Sequence, residues 1–318
     1  MKKIIISCLV TAVLCCVATV IGAGYFVGNY AVHFGLERGT ADDPQEPPRA
    51  YALLMPPEAR TYTKPDYPSE EWTITSPDGL RLEATHFQPS RHSDSSRWVI
   101  VVHGYGCTQQ NSWYIAANYL AQGYEVLTPD LRAAGSSEGR FLTMGYKESE
   151  DVLLWARRIA QEHPEARILL HGVSMGAATV MMAAGDSRLP ENVVACVEDS
   201  GYTSAFDIIA YQIEQSFGLP SFPALELLDW RCEHIAGFSL HRAAPGEAVR
   251  NARVPILFIH GTSDTLVPSC MAQQLYDEAQ APAKKLLFID GARHAAASQK
   301  DQKLYFQTID DFVRPYMK

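Results

Sequence analysis

The sequence predicts an α/β protein built on a mostly parallel sheet with helices on both faces. Three observations carry this reading: short apolar runs of the kind that form buried strands, helical patterns lying between them, and a composition able to fill a large core. The chain has 318 residues, 47% hydrophobic and 20% charged, which suits one large α/β domain with an appendage and excludes disordered, collagen-like and coiled-coil classes. Lys plus Arg number 27 against 36 Asp plus Glu, a net charge of −9. That balance argues against a phosphate backbone as partner, so no nucleic acid is expected.

Lys2 and Lys3 precede a run from Ile4 to Gly28 without a charge. As a helix its 25 residues would reach about 37 Å, enough to cross a hydrocarbon core of about 30 Å. Residues 1–28 are therefore expected to be a transmembrane anchor, single-pass in the cell membrane, with the lysines cytoplasmic and the rest of the chain extracytoplasmic. A cleaved secretory signal, with Gly22 and Gly24 as the small residues near the cut, is the competing reading and would make the protein secreted. Residues 29–69 carry a cluster of prolines from Pro44 to Pro68 and are expected to form a stalk or linker, although the apolar patch from Tyr51 to Met55 could lie against the domain. Outside the apolar run, Cys107, Cys196, Cys232 and Cys270 are too few for a disulfide framework. Free thiols are favoured over a Cys107–Cys270 bridge.

Residues 70–318 should form the main domain. Glu71 to Thr75 and Leu80 to Phe87 flank Ser76-Pro77-Asp78-Gly79, an antiparallel hairpin. Buried parallel strands are expected at Trp98 to Val102, Glu125 to Thr128, Arg167 to Leu170, Val193 to Val197, Ile256 to Ile259 and Leu286 to Ile289. Helices are expected at Ser112 to Gln122, Gly145 to Glu162, Met175 to Ala184, Cys270 to Ala279 and Gln299 to Tyr316. Ligands of such sheets bind beyond the carboxyl ends of the strands.

The strand from Arg167 ends in Gly172-Val173-Ser174-Met175-Gly176 and runs into an alanine-rich helix. This is a GxSxG nucleophile elbow in the strand, turn, helix context it requires. A serine hydroxyl attacks a carbonyl only when a base takes its proton, so an oriented histidine is needed. His103, His171 and His260 each precede a glycine at a strand end and are expected to support loops, whereas His294 follows the last strand on a loop before the final helix. Asp264, after the strand Ile256 to Ile259, gives the order Ser, Asp, His; Asp199 and Asp290 are the alternatives for the acid. Backbone N–H groups of Met175 and Tyr105 are the expected oxyanion donors, the latter in the loop His103-Gly104-Tyr105-Gly106.

His103-Gly104-Tyr105-Gly106, Asp130-Leu131-Arg132-Ala133-Ala134-Gly135-Ser136-Ser137-Glu138-Gly139, the elbow at Ser174, His260-Gly261-Thr262-Ser263-Asp264 with Val267-Pro268, and Gly291-Ala292-Arg293-His294 together resemble the α/β-hydrolase superfamily. More narrowly, they look like its bacterial membrane-anchored or secreted members of the serine-aminopeptidase-like, Bem46-like and YqkD-like kind. The resemblance implies an eight-stranded sheet, a Ser174, Asp264, His294 triad and no cofactor. It departs at Ala134, where many relatives carry histidine, which bears on substrate more than on activity. Neither HExxH nor a P-loop occurs, so no metal is expected either.

Residues 202–254 form an insertion expected to cap the nucleophile. Its large apolar side chains, among them Ile208, Phe222, Leu225, Trp230 and Phe238, suggest an apolar pocket. Glu214, Glu226, Asp229 and Glu233 could hold an amino group, or form a solvated face. The expected function is a serine hydrolase cleaving a carboxylic ester of an apolar or aromatic small substrate. Peptidase or aminopeptidase, thioesterase or acyltransferase activity on the same triad, or a catalytically silent binding module, are the alternatives.

Overall fold

In chain order the elements are α1 (residues 24–35), α2 (Tyr51–Leu54), β1 (Ser69–Thr75), β2 (Arg81–Phe87), β3 (Arg97–Val102), α3 (Gln109–Ala121), β4 (Glu125–Pro129), α4 (Tyr146–Glu162), β5 (Arg167–Val173), α5 (Met175–Ala184), β6 (Val193–Asp199), α6 (Ala205–Phe217), α7 (Ala224–Ile235), α8 (Pro245–Val249), β7 (Ile256–Gly261), α9 (Ser269–Glu278), β8 (Lys284–Ile289), α10 (Ala297–Lys300) and α11 (Gln302–Val313). They are seen in a computed structural model that describes residues 22, 24–39, 45–54, 62–89 and 96–318.

The strands make one eight-stranded sheet in the order β1-β2-β4-β3-β5-β6-β7-β8. The predicted hairpin pairs β1 with β2 antiparallel, β2 joins β4 antiparallel, and the remaining pairings are parallel. Apolar runs become central strands because both faces of the sheet are covered. Along β3, Trp98, Ile100 and Val102 enter one core while Val99 and Val101 enter the other, the two-residue alternation of a strand. Helices α3 and α11 fill the side of Val99 and Val101 with Ile115, Tyr119, Tyr305 and Ile309. Helices α4, α5 and α9 fill the opposite side with Val152, Trp155, Val180, Met181 and Leu275.

The crossover from β6 to β7 contains the expected insertion. Helix α6 begins at Ser204, whose Oγ accepts the Asp207 N–H at 2.9 Å, a side-chain cap that removes one unpaired donor. Gln212 of α6 donates Nε2–H to the Leu266 carbonyl, which sets this helix beside the loop that follows β7. The cap is shorter than 202–254, however, because α8 packs on α5 of the body: a Cβ at Gly185 would overlap the Ala248 backbone. Of the apolar residues expected to line a pocket, Ile208, Leu225 and Phe238 are buried in the core, whereas Phe222 and Trp230 are exposed.

The described parts of 29–69 differ from a free stalk. Helix α1 takes in the last residues of the expected anchor and lies on α7, with Gly24 against Leu227 and Gly28 against Leu227 and Arg231. Val32 and Leu36 are buried in the core, the Leu142 N–H donates to the Leu36 carbonyl at 2.9 Å, and Tyr62 stacks on Tyr114 at 5.3 Å. Proline restricts the backbone but does not decide where neighbouring apolar side chains are buried, and here they reach the domain. The anchor expected over 1–28 falls, up to Ile21 and again at Ala23, outside the described residues. Among the described residues no helix is long and apolar enough to cross a membrane. Cys107, Cys196, Cys232 and Cys270 are free thiols, and the Cys107 Sγ faces the Tyr51 hydroxyl at 3.8 Å instead of Cys270.

Candidate active site

Ser174 ends β5 and precedes α5 with φ 58° and ψ −119°, a region that residues with a Cβ rarely occupy. Two glycines make this turn possible. A Cβ at Gly172 would overlap the Gly176 carbonyl, and one at Gly176 would overlap the Val102 and His103 carbonyl oxygens, so strand, turn and helix can approach only without side chains there. The turn is fixed further by the Ser174 N–H, which donates to the Asp199 carbonyl at 2.8 Å.

His294 reaches this serine from the loop after β8. Its Nε2 lies 2.8 Å from Ser174 Oγ and its Nδ1 lies 2.7 Å from Asp264 Oδ2. With Asp264 accepting at Nδ1–H, the Nε2 lone pair faces the serine hydroxyl, the tautomer a general base requires. Asp264 is buried, and its Oδ1 accepts the Leu266 and Val267 N–H groups at 2.9 Å each. Burial alone would raise its pKa, but hydrogen bonds from His260 and His294 outweigh that and hold it well below the usual carboxylate range.

The other acid candidates point elsewhere. Asp199 accepts from the Ser200 hydroxyl at 2.8 Å and the Tyr305 hydroxyl at 2.9 Å, while Asp290 accepts from the Thr262 hydroxyl at 3.1 Å. Burial raises the pKa of Asp199 against the pull of those two hydroxyls. His103 accepts the Leu131 N–H at Nε2 at 3.0 Å, and His171 sits between the Tyr119 and Tyr305 hydroxyls at 2.9 and 3.0 Å. Both are loop and core supports, and burial drives the His171 pKa down to about 3.

His260 supports a loop as expected, and the loop is the one that carries the acid. Its Nε2 lies 2.9 Å from the Val267 carbonyl and 3.3 Å from Asp264 Oδ2, so it holds the acid loop from below. The signal was available in the spacing of His260 and Asp264, four residues apart around the glycine that ends β7. The loop after β3 crosses close to the serine: a Cβ at Gly104 would stand 3.2 Å from the Ser174 Cβ and 3.3 Å from the Val173 carbonyl. Tyr105 follows, its hydroxyl donating to the Gly35 carbonyl at 2.5 Å, so α1 steadies this loop. Met175 opens α5, and N–H groups in the first turn of a helix have no partner within it. The Met175 N–H, next to the serine in sequence, and the Tyr105 N–H, in the loop whose Gly104 approaches the serine, are thus the candidates for an oxyanion.

Among the described residues no His, Cys, Asp or Glu cluster could hold a metal ion. A buried ion-pair group braces the neighbouring loop: Arg132 donates Nε–H and Nη2–H to the two Asp151 oxygens at 2.7 Å each. It also donates Nη1–H to Asp78 at 2.8 Å, tying the loop after β4 to α4 and to the hairpin turn.

The arrangement just described is that of a hydrolase sheet, and the profile of the Alpha/beta hydrolase family matches residues 99–304. The chain belongs to this family, and hydrolysis is the chemistry that membership supports. It is similar to YqkD of Bacillus subtilis, 25% identical over 243 residues, which covers 76% of this chain and 78% of that protein. Its fold is similar to that of the Pyrococcus furiosus esterase Pf2001, with a TM-score of 0.65 and 22% identity over 81% of this chain and 99% of that one. It is similar also to Pyrococcus horikoshii acylaminoacyl peptidase, with a TM-score of 0.58 and 17% identity over 80% of this chain and 43% of that one.

Proposed function

We propose that the protein is a serine hydrolase that cleaves a carboxylic ester of an apolar or aromatic small substrate through an acyl-enzyme. The observation that carries the reading is the continuous hydrogen-bonded chain from Ser174 through His294 to Asp264. In the reaction, His294 Nε2 takes the hydroxyl proton as Ser174 Oγ attacks the carbonyl carbon. The carbonyl oxygen becomes an oxyanion against the Tyr105 and Met175 amides, and Asp264 stabilises the imidazolium. Collapse breaks the ester bond, and His294 returns the proton to the leaving alcohol. Water then attacks the acyl-serine with His294 again as base, the bond from the acyl carbon to Ser174 Oγ breaks, His294 returns the proton to Oγ, and the acid leaves.

Ester cleavage is favoured over aminopeptidase action by the cap's carboxylates. Asp229 accepts from the Ser239 hydroxyl at 2.9 Å and from the Leu240 N–H at 2.5 Å, and Glu214, Glu226 and Glu233 are exposed. A silent binding module is disfavoured because all three members of the chain are present and joined. We infer further, from the uncharged run Ile4 to Gly28 behind Lys2 and Lys3, that the protein is anchored in the cell membrane with this domain extracytoplasmic.

The test is turnover of full-length protein on aryl esters of graded acyl length, with thioesters and aminoacyl arylamides beside them. Esters are expected to be the best substrates, with Ser174→Ala losing on the order of a thousandfold or more in kcat. Preference for arylamides bearing a free amine would move the assignment to aminopeptidase, and turnover undiminished in Ser174→Ala would remove the serine from the mechanism.

A further inference from the structure

Exposed aromatic and aliphatic side chains gather on one part of the molecule. Phe26, Tyr30 and Tyr25 on α1, Leu219 and Phe222 between α6 and α7, and Trp230 on α7 are all between 44% and 75% exposed. Exposed large apolar side chains on neighbouring elements are the raw material of a binding face. Helices α1 and α7 run side by side in the same direction, since Gly24 meets Leu227 and Gly28 meets Arg231. Arg231 locks them together: its guanidinium lies 4.2 Å from the Tyr25 ring centroid and 5.2 Å from that of Trp230, and its Nη2–H donates to Asn29 Oδ1 at 2.7 Å.

The parallel arrangement places the start of α1 beside the start of α7. Gly24, at the start of α1, lies beside Leu227 in the first turn of α7, which follows the loop 218–223 that carries Leu219 and Phe222. Both stretches are uncharged: no Asp, Glu, Lys or Arg occurs from Ile4 to Leu36 or from Gln215 to Leu225. The start of α1 and the loop 218–223, far apart in sequence, therefore lie at one end of the cap. Tyrosine and tryptophan are the side chains that settle at the boundary between hydrocarbon and water, and a segment as apolar as 4–21 is soluble in lipid. The acidic balance of the chain makes attraction to anionic headgroups a poor source of binding, so the contact is apolar.

We propose that the loop 218–223 and the exposed side of α1 form a bilayer-docking surface, inserted into the boundary region of a zwitterionic phospholipid membrane beside residues 4–21. The cap is thereby held against the membrane by a second contact besides the N-terminal segment. This inference stands whether or not Ser174 is catalytic.

The experiment uses the full chain reconstituted in phosphatidylcholine vesicles doped with a diazirine-bearing phosphatidylcholine, with adducts mapped by peptide mass spectrometry after irradiation. Adducts are expected in peptides covering 215–231 as well as in the N-terminal segment, severalfold above those in 186–192, which lead into β6 at the opposite end of the sheet. The double variant Leu219→Asp/Phe222→Asp should lose the adducts in 215–231 and keep those in the N-terminal segment, which reports its reconstitution; Phe222→Ser alone serves if the double variant does not fold. Adducts confined to the N-terminal segment in the unaltered protein would overturn the proposal, as would 215–231 labelling that both variants leave unchanged. Chain-to-chain cross-links at this loop without lipid adducts would assign the surface to a second copy and overturn it likewise.

Discussion

Asp264 gathers two peptide N–H groups and two imidazoles around one buried carboxylate. An anion so surrounded stays ionised and fixes which nitrogen of His294 carries the proton. Asp264→Asn would offer an N–H where His294 needs an acceptor, forcing the wrong tautomer. Turnover should fall by about ten-thousandfold, while Asp199→Asn keeps it within about tenfold; kcat of the two purified variants checks this, and the reverse ranking would move the acid to Asp199. The serine and histidine were legible in the sequence because the elbow motif and the loop after the last strand each single out one residue. The acid was read as Asp264 but with two alternatives left standing, since Asp199, Asp264 and Asp290 all follow strands. What separates them is the direction of a side chain, and that depends on the Ser200 and Tyr305 hydroxyls that engage Asp199.

At the scale of elements, the elbow depends on close approach between β3, β5 and α5. Gly176→Ala would push a methyl into the Val102 and His103 carbonyl oxygens, prising α5 from β3 and shifting the loop that carries Tyr105. We expect a loss of about 1–3 kcal/mol in stability and a larger proportional loss in turnover than in folded fraction, read by thermal unfolding beside kcat. An unchanged kcat would mean that the loop after β3 does not depend on this contact. The strands and most helices were legible because apolar runs and helical periodicity are local signals. Helix α1 on the cap was not, because its partners Leu227 and Arg231 lie some 200 residues away in sequence. Nor does apolar content tell an exposed aromatic from a pocket-lining one, which is why Phe222 and Trp230 were expected to line a pocket. Helix α8 joined the body through Gly185, a contact that no local pattern announces.

For the whole molecule, stability should pass through a maximum in mildly acid solution. Asp264 has its pKa held down in the fold, so its contribution is present above the unfolded value and is lost as pH falls toward the folded one. Glu198 behaves oppositely. Burial raises it to about 8, against the pull of His260 and the Gly201 N–H, so the folded state binds a proton that the unfolded chain releases above its ordinary value of 4.5. Stability therefore declines as pH rises from that ordinary value through about 8. Glu198→Gln should flatten the decline, gaining on the order of 1 kcal/mol per pH unit at most relative to the parent across that window. Denaturant unfolding at pH 5.5 and pH 8 reads it, and parallel curves for variant and parent would refute a buried, protonated Glu198.

The central claim, that Ser174 is an activated nucleophile, meets its most direct test in phosphonylation of the full-length protein by a fluorophosphonate. Such a probe reacts with a serine whose proton a neighbouring base removes, and it needs no knowledge of the substrate. Intact mass should show one adduct, peptide mapping should place it on Ser174, and Ser174→Ala should show none. A folded protein that takes up no probe, or a Ser174→Ala variant that still does, would contradict the account.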